Sequence, residues 1–333
     1  MRRTEPNPRR QLLPGQSEAL LRELHLVGRD GKLQADTLRK LKQVNHLVQL
    51  LAPALADVSE RHLHPVLLDA GAGNAYLGFI LYELFLREGE AELWSVETRP
   101  DLVARAKDRA ARLGFSRMRF VEAPLGELIA APAPAPPLPE ATGVPAHGAA
   151  TDLATAPGAA TAPRTEGVPA RLHLVTALHA CDTATDDALI LAVRRDADHV
   201  ALVPCCQAEV AAQLKAAPDA AQAPWPLLWS HPIHRREAGA HLTNVIRALA
   251  LEANGYQVTV TELTGWEHSL KNELILGRRV HREHRGARAR LRELLAATQV
   301  RPKVVRELMP ELLEAPREGG ATSQAGGPLP GSS

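Results

Sequence analysis

The stretch from Val66 to Leu81, VLLDAGAGNAYLGFIL, constrains this chain more than any other. An apolar run ends at Asp69, glycines follow at 71 and 73, and a second apolar pattern begins at once. The pattern predicts a strand, a tight turn and the start of a helix. Gly71 and Gly73 can take positive φ and, lacking Cβ, let the backbone approach a ligand. Asp69 then falls at the carboxyl end of the strand, where open α/β sheets hold their ligands, with Asn74 beside the glycines. The third glycine of the dinucleotide fingerprint is missing, so an ordinary strand-to-helix turn is the alternative reading of this stretch alone.

The next unit, AELWSVETRPDLVARAKDRAARLGF, lifts the first reading. Leu93 to Val96 reads as a short strand ending in Glu97, and a helix runs from Asp101 to Gly114. An acid roughly 20 to 30 residues past the glycines is where such folds hold ribose hydroxyls. The order DxGxG and then this acid resembles the S-adenosylmethionine pocket of class I methyltransferases more than the nicotinamide site of a dehydrogenase. That resemblance implies a methyl-donor site made by Asp69, Gly71, Gly73, Asn74 and Glu97. A third strand near Met118 to Val121 ends at Glu122, which the same resemblance places at the adenine's exocyclic amine; a surface carboxylate is the alternative.

Upstream, Ser17 can cap a helix that Gly28 to Gly31 breaks. A longer helix begins near Asp36, with Leu38, Leu41, Val44, Leu47, Val48 and Leu51 at helical spacing and Pro53 marking a kink or break. Its other face carries Arg39, Lys40, Lys42, Gln43, Asn45 and His46. This is a solvated face, or a lid through Lys40, Gln43 and Asn45. Residues 131 to 170 hold 13 Ala and 9 Pro with no aromatic residue, too little apolar surface to offset the entropy of ordering. They read as a disordered insertion in one fold, since neither flank alone supplies a full sheet. The expected organisation is a tail over 1–16, a helical cap over 17–60, one domain from 61–130 and 171–282, basic helices over 283–315 and a tail over 316–333.

A net charge of +1 neither demands nor excludes nucleic acid. The three cysteines suggest no disulfide framework, and no apolar run is long enough to span a membrane, so a cytoplasmic setting is expected.

In the second half, a strand over Leu172 to Leu178 leads to His179, Cys181 and Asp182, and a strand over His199 to Val203 leads to Cys205, Cys206 and Gln207. Neighbouring strands thus deliver these side chains to one edge of the sheet. With LHACDTATDDAL, VPCCQ, LTNVIRALALEANGY and EHSLKNELI, the chain resembles a group of bacterial and eukaryotic methyltransferase-domain proteins. More distantly it is similar to eukaryotic tRNA 2′-O-methyltransferases of the Trm family, although Gln207 stands where those enzymes have histidine. The resemblance spans about residues 36 to 125 and 170 to 280. It implies a Rossmann-like class I methyltransferase fold: an α/β architecture with a seven-stranded, mostly parallel sheet, an antiparallel last strand and an N-terminal helical cap. S-adenosylmethionine is the implied cofactor, with His179 also near it, and RNA (tRNA or rRNA) the implied acceptor. A small molecule or protein acceptor, or a non-catalytic RNA-associated scaffold, are the alternatives.

Three readings of the cysteines stand side by side. Cys181, Cys205 and Cys206 pack a strand end as small apolar residues, or a thiolate attacks a pyrimidine ring, or His179, Cys181 and one of the pair bind zinc. No CxxC spacing supports the last, and no metal is expected. Trp225, Trp229, His231 and His234 either stack on a base or cover the core edge. In the closing hairpin, His268 or Lys271 could deprotonate a substrate hydroxyl, with an exposed turn as the alternative. Between Lys271 and Arg306 there are eleven Lys or Arg against three Glu. This basic C-terminal helix, with the N-terminal cap, is the expected RNA surface, and Arg288 and Arg292 are expected beside the crevice. Nothing in the sequence indicates an oligomeric state.

Overall fold

The computed structural model describes residues 13–27, 35–130, 167–178, 180–217, 220–263 and 273–314. Short apolar runs make the strands. These are β1 (Val66–Ala70), β2 (Glu92–Glu97), β3 (Met118–Glu122), β4 (Leu174–Leu178), β5 (His199–Val203), β6 (Tyr256–Glu262) and β7 (Glu273–Arg279). They form one seven-stranded sheet in the order β3-β2-β1-β4-β5-β7-β6. Strands β1 to β5 run parallel, and β7 enters antiparallel between β5 and β6. The strand order reverses between β1 and β4. That switch point opens a crevice at the carboxyl ends of these two strands.

Helices cover both faces. One face carries α1 (Glu18–Glu23), α2 (Ala35–Arg61), α3 (Tyr76–Leu81) and α4 (Pro100–Leu113), packed through residues such as Leu47, Leu51, Phe79 and Ala106. The other carries α5 (Leu125–Ala130), α6 (Thr183–Arg194), α7 (Glu209–Ala216), α8 (Pro232–Ala253), α9 (Arg285–Thr298) and α10 (Lys303–Leu308). In α4, Pro100 opens the first turn, where its missing N–H costs nothing, and Gly114 closes the helix at φ 69°. No helix among the described residues is long and apolar enough to cross a membrane.

The elements depart from the sequence reading at several points. Ser17 caps α1 by accepting from the Leu20 N–H at 3.0 Å, but the helix stops at Glu23, before the glycines. Helix α2 runs unbroken through Pro53, because Leu51, Leu55 and Val58 continue one buried stripe while the proline faces solvent. Helix α8 begins at Pro232; a proline in the first turn starts a helix as readily as it breaks one. Val168 is 2% exposed and belongs to the core, so the ordered fold resumes before residue 171. The rest of the insertion (131–166) and both tails lie outside the described residues, apart from 13–16 at the N-terminal end.

Candidate functional site

The loop after β1 carries the backbone geometry that its glycines allow: Gly71 has φ 66° and Gly73 φ 58°. A Cβ at Gly73 would meet nothing within 4 Å, since the loop opens there onto a cavity. The Gly73 N–H donates to Glu97 Oε2 at 2.8 Å, so the β1 loop and the end of β2 are tied together. Glu97 Oε1 accepts from the Thr98 and Arg99 N–H groups, both at 3.1 Å. Burial pushes the Glu97 carboxyl up, but these backbone donors and the Arg99 guanidinium outweigh it and hold it below the ordinary range. The cavity measures about 720 Å³ and is lined by Gly71, Gly73, Asn74, Glu97, Leu125 and Cys181 among others. That volume suits a nucleoside-sized ligand. A larger one, about 890 Å³, lies at Arg292, Val300 and Leu312, away from the strand ends.

Asp69 sits at this cavity wall but is 3% exposed. Its Oδ1 accepts from the Thr176 hydroxyl at 3.1 Å, and the carboxylate also accepts from the Gly78 N–H. Burial raises its pKa to about 7. Asp69 therefore ties β1 to β4 and α3. Gly78, unremarked in the sequence, allows this: a Cβ there would lie 3.1 Å from Leu93 Cδ2 and 3.5 Å from Asp69 Oδ2. It supplies the close helix-to-strand approach of the glycine that looked missing. Asn74 is exposed, and its carbonyl accepts from Arg109 at 3.4 Å. Glu122 ends β3 exposed to solvent; Ala123 to Gly126, not Glu122, line the cavity there.

At the ends of β4 and β5 the three cysteines converge. Cys181 Sγ lies 3.4 Å from Cys205 Sγ, and the Cys181, Cys205 and Cys206 sulfurs all fall within 4.8 Å of one another. The missing CxxC spacing therefore did not keep the thiols apart. Burial, with Cys181 and Cys206 alongside, pushes the Cys205 thiol up to about 12. That disfavours Cys205 as a free thiolate nucleophile. Asp182 acts as a clamp. Its Oδ1 accepts from the Ala208 and Glu209 N–H groups at 2.8 and 3.2 Å, capping α7, and its own N–H donates to the Cys206 carbonyl at 3.0 Å. Arg247, fully buried on α8, donates to the Asp182 carbonyl at 2.8 Å and to both oxygens of Asp186 at 2.8 and 3.1 Å. The signal for this clamp was an arginine on the apolar face of α8. His179, His268 and Lys271 lie outside the described residues.

The residues of the expected lid and basic surface are placed as follows. Gln43 and Asn45 are 3% and 6% exposed, and Asn45 accepts from Gln16 at 3.1 Å, which ties α2 to the N-terminal segment. The Lys40 side chain lies outside the described residues. Helix α9 starts where the His284 N–H meets the Ala253 carbonyl at the end of α8, next to the beginning of β6. This is the amino end of the parallel strands, because antiparallel β7 ends there, with Arg278 opposite His199. Arg288 thus stands away from the crevice, and it pairs with Glu311 as Arg290 pairs with Glu252. Trp229 is 2% exposed and belongs to the core. Trp225, His231 and His234 remain at the surface.

Among solved structures, the chain is similar to an rRNA methylase from Streptococcus thermophilus (11% identity, 70% of this chain and 96% of that one, TM-score 0.39). It is also similar to an SAH-bound methyltransferase from Podospora anserina (13% identity, 80% and 90%, TM-score 0.39). A third is precorrin-6y C5,15-methyltransferase from Geobacter metallireducens (13% identity, 70% and 87%, TM-score 0.32). Among curated proteins no match is found. The family described as a methyltransferase domain matches residues 39–213, a span that takes in β1 to β5, the glycine loop, Glu97 and all three cysteines. The chain belongs to this methyltransferase-domain family.

Proposed function

We propose that this protein is an S-adenosylmethionine-dependent methyltransferase whose acceptor is RNA. The observation that carries the donor assignment is the Gly73–Glu97 bond beside the 720 Å³ cavity. Oε1 of Glu97 is engaged by its own loop, whereas Oε2, among the described residues, accepts from Gly73 alone, which leaves it a lone pair for a ribose hydroxyl. Val96, Ala123 and Leu125 supply an apolar wall against which an adenine packs. Gly71 and Gly73 let the backbone close on the donor, and Asp69 holds the loop's shape from beneath. When bound, S-adenosylmethionine supplies a sulfonium whose methyl group is open to displacement. The chain's own task is then to position the acceptor and exclude water.

RNA is favoured by the surface at the same end of the sheet. Helix α8 ends beside the start of β6, so its first turns stand at the carboxyl end of the strands. There His231, His234, Arg235 and Arg236 follow the exposed Trp225, a grouping of stacking planes and cations suited to unpaired bases. The test is calorimetric titration with S-adenosylmethionine and S-adenosylhomocysteine, then incubation with labelled donor and total RNA. Donor binding with label in RNA is expected. Binding with label only in protein or small molecules would overturn the acceptor, and no binding would overturn the donor site.

A further inference from the structure

We propose that Cys181, Cys205 and Cys206 form a binding site for one thiophilic metal ion, zinc above all, at the rim of the donor cavity. Three sulfurs within 4.8 Å of one another, two of them 3.4 Å apart, bracket the spacing of thiolates around a tetrahedral zinc. Zinc–sulfur bonds of about 2.3 Å set such sulfurs about 3.8 Å apart. The three thiols come from two strand ends far apart in sequence, so chain proximity alone does not explain their convergence. What fixes it is the clamp beneath. Asp182 joins the Cys181 loop to the Cys206 carbonyl and to the first N–H groups of α7, while Arg247 anchors Asp182 and Asp186 from α8. This is the supporting shell that a metal site requires, since ligands must be held near their bound geometry before the ion arrives.

The chemistry selects the ion. Thiolates prefer zinc, cuprous and similar soft ions to magnesium or calcium. Cys181 is exposed and lines the cavity. The site therefore places the ion at the wall of the donor cavity. On binding, each thiol that ligates gives its proton to solvent, up to three per ion, and no electrons move.

The test uses the full chain, reduced and stripped with a chelator, titrated with Co²⁺ and then Zn²⁺. Expected are one equivalent of metal, a thiolate-to-cobalt charge-transfer band that zinc abolishes, and proton release in the calorimeter. Cys181→Ser, Cys205→Ser and Cys206→Ser should each weaken binding by at least about tenfold, the loss that even a supporting residue produces. Donor titration of the same proteins reports their folding and keeps failure here distinct from failure of the methyltransferase reading. No metal uptake by the reduced protein would overturn the proposal. So would uptake that survives all three substitutions but is lost in His173→Gln, which would move the ion to the histidine pair at the other end of the sheet.

Discussion

The two ends of the parallel strands carry similar residue types and opposite chemistry. At the amino ends, Asp198 is met by His62 at 3.0 Å, Arg171 at 3.1 Å and Arg61 at 3.4 Å. Asp57 is met by His199 at 2.6 Å, Arg61 at 2.7 Å and Arg278 at 3.5 Å. His173 Nδ1 accepts from the Val66 N–H at 2.8 Å, with the His62 ring 4.0 Å away. These groups face one another and close the ends of β4 and β5. At the carboxyl ends, Glu97 and Asp69 are met mainly by backbone N–H groups and a hydroxyl, the thiols face one another, and a cavity lies over them. The presence of His, Asp or Cys does not mark a site. At the amino end Asp57, His199 and Arg278 are paired with each other beside a cavity of about 390 Å³, whereas at the carboxyl end Glu97 keeps an oxygen beside a cavity of about 720 Å³.

The sharpest test is the one buried ion pair beneath the cavity. Arg247 and Asp186 are 0% and 2% exposed as side chains, so Arg247→Met strands a carboxylate in the core. The expected cost is about 3–5 kcal/mol in urea unfolding, because removing one partner leaves an uncompensated buried charge. A cost below about 1 kcal/mol would show that the clamp does not hold the carboxyl end. Next in size is a pair of opposed pH dependences. Asp69 has a folded pKa of about 7 against 3.8 unfolded, so its contribution is greatest at low pH and is lost as pH rises through that window. His173, pushed down to about 4 from 6.5 by burial and by His62, contributes stability that is lost as pH falls between those values. Within their overlap the two slopes oppose. Asp69→Asn should leave stability rising with pH from 4 to 6.5, and His173→Gln should leave it falling. Each unit of Asp69 shift is worth about 1.4 kcal/mol, so the change is a few kcal/mol across the window. Parallel slopes in the two variants would break the assignment.

Much of the carboxyl end could be read from the chain, for physical reasons. Gly71, Gly73 and Glu97 are local signals: residue types that a turn and a strand end need, at fixed offsets. The seven-stranded sheet with its antiparallel β7 is what the family resemblance implied, and the observed order agrees with it. Other features were set by distant packing. Asp69 is tied to Thr176, whose position depends on β4 lying beside β1, and nothing near Asp69 in sequence says so. Asn45 looks like a solvent-facing residue until Gln16 of the N-terminal segment bonds to it. The placement of α9 was recoverable: an antiparallel β7 must end at the amino edge, and the helix after it must start there. The local excess of Lys and Arg drew attention to Arg288 without asking which end of the sheet it occupies or which glutamate it meets.

The smaller effects separate binding from folding. Glu97→Ala removes a charge-assisted acceptor, worth about 1.5–3 kcal/mol, so donor affinity should fall about 10- to 100-fold in calorimetry. Glu97→Gln, which keeps an acceptor oxygen, should lose less. Asp57→Asn is the counterpart at the other end. Burial pushes Asp57 up, but His199 and Arg61 hold it below the ordinary carboxylate range, so its contribution is present above the unfolded pKa and lost as pH falls through the folded one. With its side chain 23% exposed and Arg61 45% exposed, the pairing is partly solvated, and the substitution should cost about 1 kcal/mol or less. Donor affinity should not change at all, because the sheet stands between Asp57 and the cavity. If Asp57→Asn weakened donor binding as much as Glu97→Ala, the division of labour between the two ends would be wrong, and the amino-end cluster would have to be coupled to the donor site through β4 and β5.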